Sequence, residues 1–138
     1  SGRSALLLAA TNNHLSVVIQ LLDTGQSGKQ TDLNGNGIWH LMAMSDVENE
    51  TSHTEPGSEK IERASPEMHE LISRGIILDA LNNDGETALM ISAKRGKMKL
   101  VNNLLELGAS DKILTPEGES ALTLAEASGN HEVAKLLR

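Results

Sequence analysis

The chain has 138 residues, no Cys, Phe or Tyr, one Trp, and a net charge of -7 from 12 Lys+Arg against 19 Asp+Glu. A single domain of this length buries roughly 65–70% of its unfolded surface, and here the core has to be built from Leu, Ala, Ile, Val and Met. The charge argues against nucleic-acid binding, which needs a basic stripe and usually aromatic stacking. Without Cys there is no disulfide, thiolate catalysis or Cys-ligated zinc, a composition that suits a reducing intracellular compartment, cytoplasmic or nuclear. No apolar run approaches the roughly 20 residues that span a bilayer, and Ser1-Gly2-Arg3-Ser4 does not open a signal peptide.

In chain order, Ser4 stands where a first helix begins, over Ala5-Leu6-Leu7-Leu8-Ala9-Ala10, and its hydroxyl is suited to accept the free N–H groups there. A break at Asn13 and His14 leads to a second amphipathic segment with Val17, Val18, Leu21 and Leu22, closed by Gly25. A second unit opens at Gly37-Ile38-Trp39-His40-Leu41, with Pro66 starting its second helix and Gly75 closing it. The third runs from Asp84-Gly85-Glu86-Thr87-Ala88-Leu89 through Gly96 and Met98–Leu107 to Gly108. The fourth repeats Glu117-Gly118-Glu119-Ser120-Ala121-Leu122, with its break at Gly129. Gly85 to Gly118, Gly96 to Gly129 and Leu104 to Leu137 are each 33 residues. Gly37 lies 35 residues after Gly2 and 48 before Gly85, so on this register the first copy carries two extra residues and the second fifteen.

Two short helices and a turn cannot bury their apolar faces alone, so units of this kind stack into a continuous core. A 33-residue helix–turn–helix unit with a Gly turn, an Ala/Leu first helix and a closing Leu-Leu-x-x-Gly resembles the ankyrin repeat. The likeness is strongest from Asn83-Asp84-Gly85-Glu86-Thr87-Ala88-Leu89 through Gly108-Ala109-Ser110. It implies an all-α solenoid of four repeats joined by β-hairpin-type turns, at about 2–33, 34–81, 82–114 and 115–138. A long polar loop at 47–64 is inserted in the second repeat, between its two helices. The family's Thr-Pro-Leu-His tetrad is read here as Ser4-Ala5-Leu6-Leu7, Trp39-His40-Leu41-Met42, Thr87-Ala88-Leu89-Met90 and Ser120-Ala121-Leu122-Thr123. On that reading none keeps the Pro or the His, and Trp39 cannot cap, which costs about 1 kcal/mol. The inter-repeat side-chain network should then be mostly absent, and the second repeat the least regular. The apolar first helix is a poor outer cap, which implies that further repeats or another element precede it in a longer chain.

Candidate chemistry is sparse. Asp32-Leu33-Asn34-Gly35-Asn36-Gly37 mimics the start of an EF-hand loop, but Ala43 stands where the bidentate Glu is required. Gly28-Lys29-Gln30-Thr31 lacks the Gly and the Ser/Thr of a phosphate-binding loop. His14, His40, His53, His69 and His131 share no ligand spacing. Ser65-Pro66 and Thr115-Pro116 offer proline-directed phosphorylation sites that capping and turn formation explain equally. No catalytic residue, cofactor or metal is therefore expected.

What the resemblance implies instead is a monomeric, non-catalytic surface that takes a protein or peptide on hairpin tips and first helices. By position this selects Thr11 and Asn12 in the first repeat, and Asn34, Asn36, Ile38, Asp46 and Val47 in the second, to which Trp39 is added as the only large aromatic. The third contributes Asn83, Asp84, Glu86, Lys94 and Arg95, and the fourth Pro116, Glu117, Glu119 and Ser128. Trp39 is either core or an exposed anchor, since Trp is enriched at interface hot spots. Acidic tips in the last two repeats call for a partner with a basic segment. The alternatives are a targeting or regulatory segment of a larger enzyme, channel or bacterial effector, and an inhibitor that masks a basic segment of a transcription factor.

Overall fold

The computed structural model describes residues 4–12, 14–45 and 66–138. Those residues form eight helices and no strand: α1 (Ala5–Thr11), α2 (Leu15–Asp23), α3 (Ile38–Met44), α4 (Pro66–Ser73), α5 (Ala88–Lys94), α6 (Met98–Leu107), α7 (Ala121–Ala127) and α8 (His131–Leu137). None exceeds 10 residues, below the length at which an isolated helix holds in water, so tertiary packing has to supply the stability. The first helices form a row in which α1 packs on α3, α3 on α5 and α5 on α7, while α2 packs on α4 and α6 on α8. This is the expected helical repeat solenoid.

The row of first helices is the spine. Helix α5 buries Ala88 through Ala93, whereas the longer α6 buries only Val101, Asn103 and Leu104. Leu6, Leu41, Leu71, Leu89 and Leu104 are all at most 1% exposed, and each such burial contributes about 1.5–3 kcal/mol. Ser92 is tolerated in the spine because its hydroxyl donates to the carbonyls of Ala88 and Leu89, both at 3.0 Å. Outside the spine, Arg74 reaches Asp23 at 2.7 Å, an exposed pair that raises the guanidinium pKa and adds little stability.

Helix starts follow the expected chemistry in three repeats. Ser4, Thr87 and Ser120 accept from the backbone N–H groups of Leu7, Met90 and Thr123 at 3.4, 3.2 and 3.2 Å. The second repeat departs from the sequence reading. Its cap is Gly37, not Trp39, so the caps at Ser4, Gly37, Thr87 and Ser120 fall at intervals of 33, 50 and 33. The first repeat thus carries no extra residues, and an excess of seventeen over the period of 33 falls between α3 and α4. The inserted loop placed at 47–64 lies outside the described residues.

The slip has a physical cause. Asn34-Gly35-Asn36-Gly37 presents two Asn-Gly pairs that look alike; the period of 33 counted from Gly2 selects Gly35, and the backbone conformation agrees. Gly35 is the turn glycine, with φ +78° against +75° at Gly85 and +83° at Gly118, a conformation L side chains rarely adopt. Gly37, with φ -90°, is in an ordinary extended conformation. With the register restored, the second tetrad is Gly37-Ile38-Trp39-His40, and it does keep the His.

Candidate partner-binding surface

The three described tips share one construction. In each, the residue before the turn accepts backbone N–H groups ahead of it, the Asx-turn chemistry of short polar side chains. Asp32 Oδ1 accepts from Asn34 and Asn36, both at 2.9 Å. Asn82 Oδ1 accepts from Asp84 and Glu86, both at 3.0 Å, and Thr115 Oγ1 from Glu119 at 3.1 Å. A main-chain pair closes each turn, as in Asp32 N–H to Asn36 O at 3.0 Å. This is a hairpin too short to count as strands. The Asp32 carboxylate, which mimicked an EF-hand ligand, is thus occupied inside its own turn, and Thr115 is buried with its hydroxyl in the cap of the fourth tip.

Adjacent tips touch. Asn83 N–H donates to Asn34 O at 2.9 Å, and Asn83 Nδ2 donates to Leu33 O at 3.1 Å. Asn82 Nδ2 donates to Asn36 Oδ1 at 2.9 Å. On the far side, the Pro116 ring lies so close over Gly85 that a Cβ there would meet its Cδ at 2.5 Å. Lys94 Nζ meets Glu86 Oε2 at 2.6 Å, which brings the end of α5 to the same face as the third tip. Asn34, Asn83, Asp84, Pro116 and Glu117 are therefore exposed along one edge, with Glu86 and Glu119 half-buried behind them. Arg95 and Ser128 close α5 and α7 at equivalent positions, as Asn12 closes α1. Thr11 is half-buried, its hydroxyl donating to Leu7 O at 2.9 Å.

Three of the expected contact residues are not on this surface. Ile38 and Trp39 are 1% and 2% exposed, because they occupy the first two positions of α3, in the spine. The core reading of Trp39 holds and the exposed-anchor reading is overturned. Its indole N–H is buried with no partner among the described residues, which costs about 1–3 kcal/mol. Asn36 is 3% exposed and held at both ends of its amide, by Asp32 and Asn82. Asp46 and Val47 lie outside the described residues; Ser45, the α3 counterpart of Arg95, is buried.

The expected loss of the inter-repeat network is corrected as well. Gly37 N–H donates to His40 Nδ1 at 3.1 Å, and His40 Nε2 lies 2.9 Å from Glu86 O. Since Nδ1 accepts, the proton sits on Nε2 and is donated to the carbonyl of the next repeat. Desolvation lowers the His40 pKa below its usual value, partly offset by hydrogen bonds to the Glu86 and Ala80 backbones and by the charges of Asp32 and Glu86.

Sequence reasoning missed the apolar part of the edge. Leu33 is 77% exposed, Leu81 55% and Leu114 57%, and Leu81 and Leu114 occupy the same position one repeat apart. Lone aliphatic residues among turn-forming polar ones were the available signal. Residues 81–86 and 114–119 carry Asp84, Glu86, Glu117 and Glu119 and no basic residue. Among the described residues no group of His, Asp or Glu has the arrangement of a metal site, and no helix is long and apolar enough to cross a membrane.

Residues 62–138 match the family described as ankyrin repeats in three copies, and residues 1–33 match the single ankyrin repeat. Among curated proteins, the chain is similar to the inactive serine/threonine-protein kinase TEX14 of Bos taurus, 38% identical over 68 residues, or 49% of this chain. The protein of the same name from Mus musculus is 31% identical over 71 residues, or 51% of this chain. In both cases the matched stretch is 5% of the relative's length. Stacked helix pairs, Asx-capped tips, the tetrad histidine and a family match over more than half its length make this chain a member of the ankyrin-repeat family.

Proposed function

We propose that the chain is a non-catalytic protein-interaction module that takes a basic, partly apolar segment of a partner protein along the tips of its second to fourth repeats. The observation that carries this is the composition of one continuous edge, where exposed Leu33, Leu81 and Leu114 alternate with Asp84, Glu117 and Glu119 and no cation interrupts the third and fourth tips. Such an edge rewards apolar contact and, through its charge, orients and selects the partner. Glu86 contributes less, because Lys94 already neutralises it. The module acts as a monomer.

The test is a peptide array of Lys- and Arg-containing segments probed with the chain over a salt series. Binding should weaken steeply as salt rises and disappear when Asp84, Glu117 and Glu119 are all replaced by Lys. Binding that survives both treatments would overturn the proposal. A second reading, that the module serves as a targeting or regulatory segment of a longer protein, is favoured by relatives that carry the matched stretch as 5% of their length and are named inactive kinases.

A further inference from the structure

We propose that Asn34 is a site of spontaneous amide loss through a cyclic imide, and that the fold reserves this chemistry for Asn34 while withholding it from Asn36. Both residues precede glycine, whose lack of a side chain leaves the following backbone nitrogen open to attack on the asparagine carbonyl. In the reaction the Gly35 nitrogen gives up its proton and bonds to Cγ of Asn34. The Cγ–Nδ2 bond breaks and ammonia leaves. Water then opens the five-membered imide at either carbonyl, giving aspartate or isoaspartate.

The two pairs are held very differently. Asn36 is 3% exposed; its Nδ2 donates to Asp32 Oδ2 at 3.3 Å and its Oδ1 accepts from Asn82 at 2.9 Å. The nitrogen that would attack it, Gly37 N–H, is committed to His40 Nδ1 at 3.1 Å. Asn34 is exposed at the tip. Its attacking nitrogen is restrained by one turn hydrogen bond, Gly35 N–H to Asp32 O at 3.0 Å, and the tip is otherwise held to the third by Asn83, whose N–H donates to Asn34 O at 2.9 Å, so only these bonds at its exposed end have to loosen. The other tips are internal controls, since their turn glycines have the same positive φ. The third presents Asp84-Gly85, where an ionised carboxylate is a poorer electrophile than an amide. The fourth presents Glu117-Gly118, where the ring would be six-membered.

The outcome bears on the tip edge. Either product adds a negative charge to it. Isoaspartate also reroutes the main chain through the former side chain, so the carbonyl that accepts Asn83 N–H becomes part of a free carboxylate.

The purified chain, folded or in guanidinium chloride, would be incubated at mildly alkaline pH and mapped by peptide mass spectrometry, with isoaspartate labelled by isoaspartyl methyltransferase. The expected result is conversion of Asn34 with Asn36 intact in the folded chain, and conversion of both in denaturant. Asn34→Gln, an exposed change that should leave the melting temperature in place, should abolish labelling at the second tip, and Asn36→Gln should not. Retention of the Asn34 amide in the folded chain after the denatured chain has converted, conversion of Asn36 as fast as Asn34, or labelling of Asp84 or Glu117 to the same extent would each overturn the proposal.

Discussion

Where the second and third repeats meet, polar groups hold the tips together. His40 donates to Glu86 O, Asn83 N–H to Asn34 O, and the Asn82 and Asn83 amides to Asn36 and Leu33. Where the third meets the fourth, the counterparts are apolar. Met90 stands at the helix position of His40, and Pro116 stands at the position of Asn83 and rests on Gly85. Proline has no N–H, so the main-chain bond of the first junction has no counterpart in the second. Polar contact instead moves to the helix ends, where Asn130 Nδ2 donates to the Ala93 and Lys94 carbonyls, both at 2.8 Å. One repeat grammar therefore supports two kinds of junction, and a junction's character is set by the residues at two positions.

Breaking the core beneath the polar junction should have the largest effect. Trp39→Ala is expected to cost about 3–5 kcal/mol in a denaturant melt, as large aromatic truncations do. Trp39→Phe, which removes a buried N–H that has no partner among the described residues, should cost far less. If the two variants matched, the indole would not be filling the spine.

His40→Ala comes next. It strands the Gly37 N–H and the Glu86 carbonyl, and leaving such groups unpaired costs about 1–3 kcal/mol. The same residue predicts a pH dependence. Its folded pKa lies below the usual value, so as pH falls through about 6.5 the unfolded chain takes up the proton first. Stability present above that pH is lost progressively as pH drops toward the lowered folded value, and His40→Gln should flatten that slope in urea melts from neutral to acidic pH. An unchanged slope would remove His40 from the account.

A direct comparison of the tips comes third. Asn82→Ala removes two acceptor bonds and the donation to Asn36 and should cost about 1–3 kcal/mol; Thr115→Ala removes one and should cost about 1 kcal/mol. Hydrogen exchange on the Glu86 and Glu119 amides should report the same order. The smallest effect is expected for Pro116→Asn. It restores an N–H to the fourth tip but frees the unfolded chain, so the two effects nearly offset and stability should move by less than about 1 kcal/mol.

The repeat period, three of the four helix caps and the helical class were legible from residues alone, because Ser4, Thr87 and Ser120 precede apolar runs at fixed spacing. The register of the second repeat was misread: two adjacent Asn-Gly pairs look alike as letters, and the glycine 33 residues after Gly2, Gly35, is the turn glycine, as the sign of its φ shows. That slip hid His40 in the tetrad and put Trp39 at a capping position; Trp39 became a candidate for the surface because Trp is enriched at interface hot spots. Bonds such as Asn82 to Asn36 join residues 46 apart, a pairing that no local pattern announces. The exposure of Leu33, Leu81 and Leu114 was missed because aliphatic residues in a repeat are assigned to the core by default. Asn34, Asp84 and Glu117 could be placed at exposed tips because tip positions follow from the turn glycine.

The proline at the fourth tip also has a mechanical meaning. A ring resting on a glycine has no directional bond to break, so at the fourth tip resistance to shear falls to packing and to the Asn130 bonds at the helix ends, whereas the second tip is clamped to the third directly by its own bonds. A load applied along the tips would therefore strain the two steps unequally, with the give concentrated next to Pro116. The edge is a ruler with one stiff interval and one compliant interval.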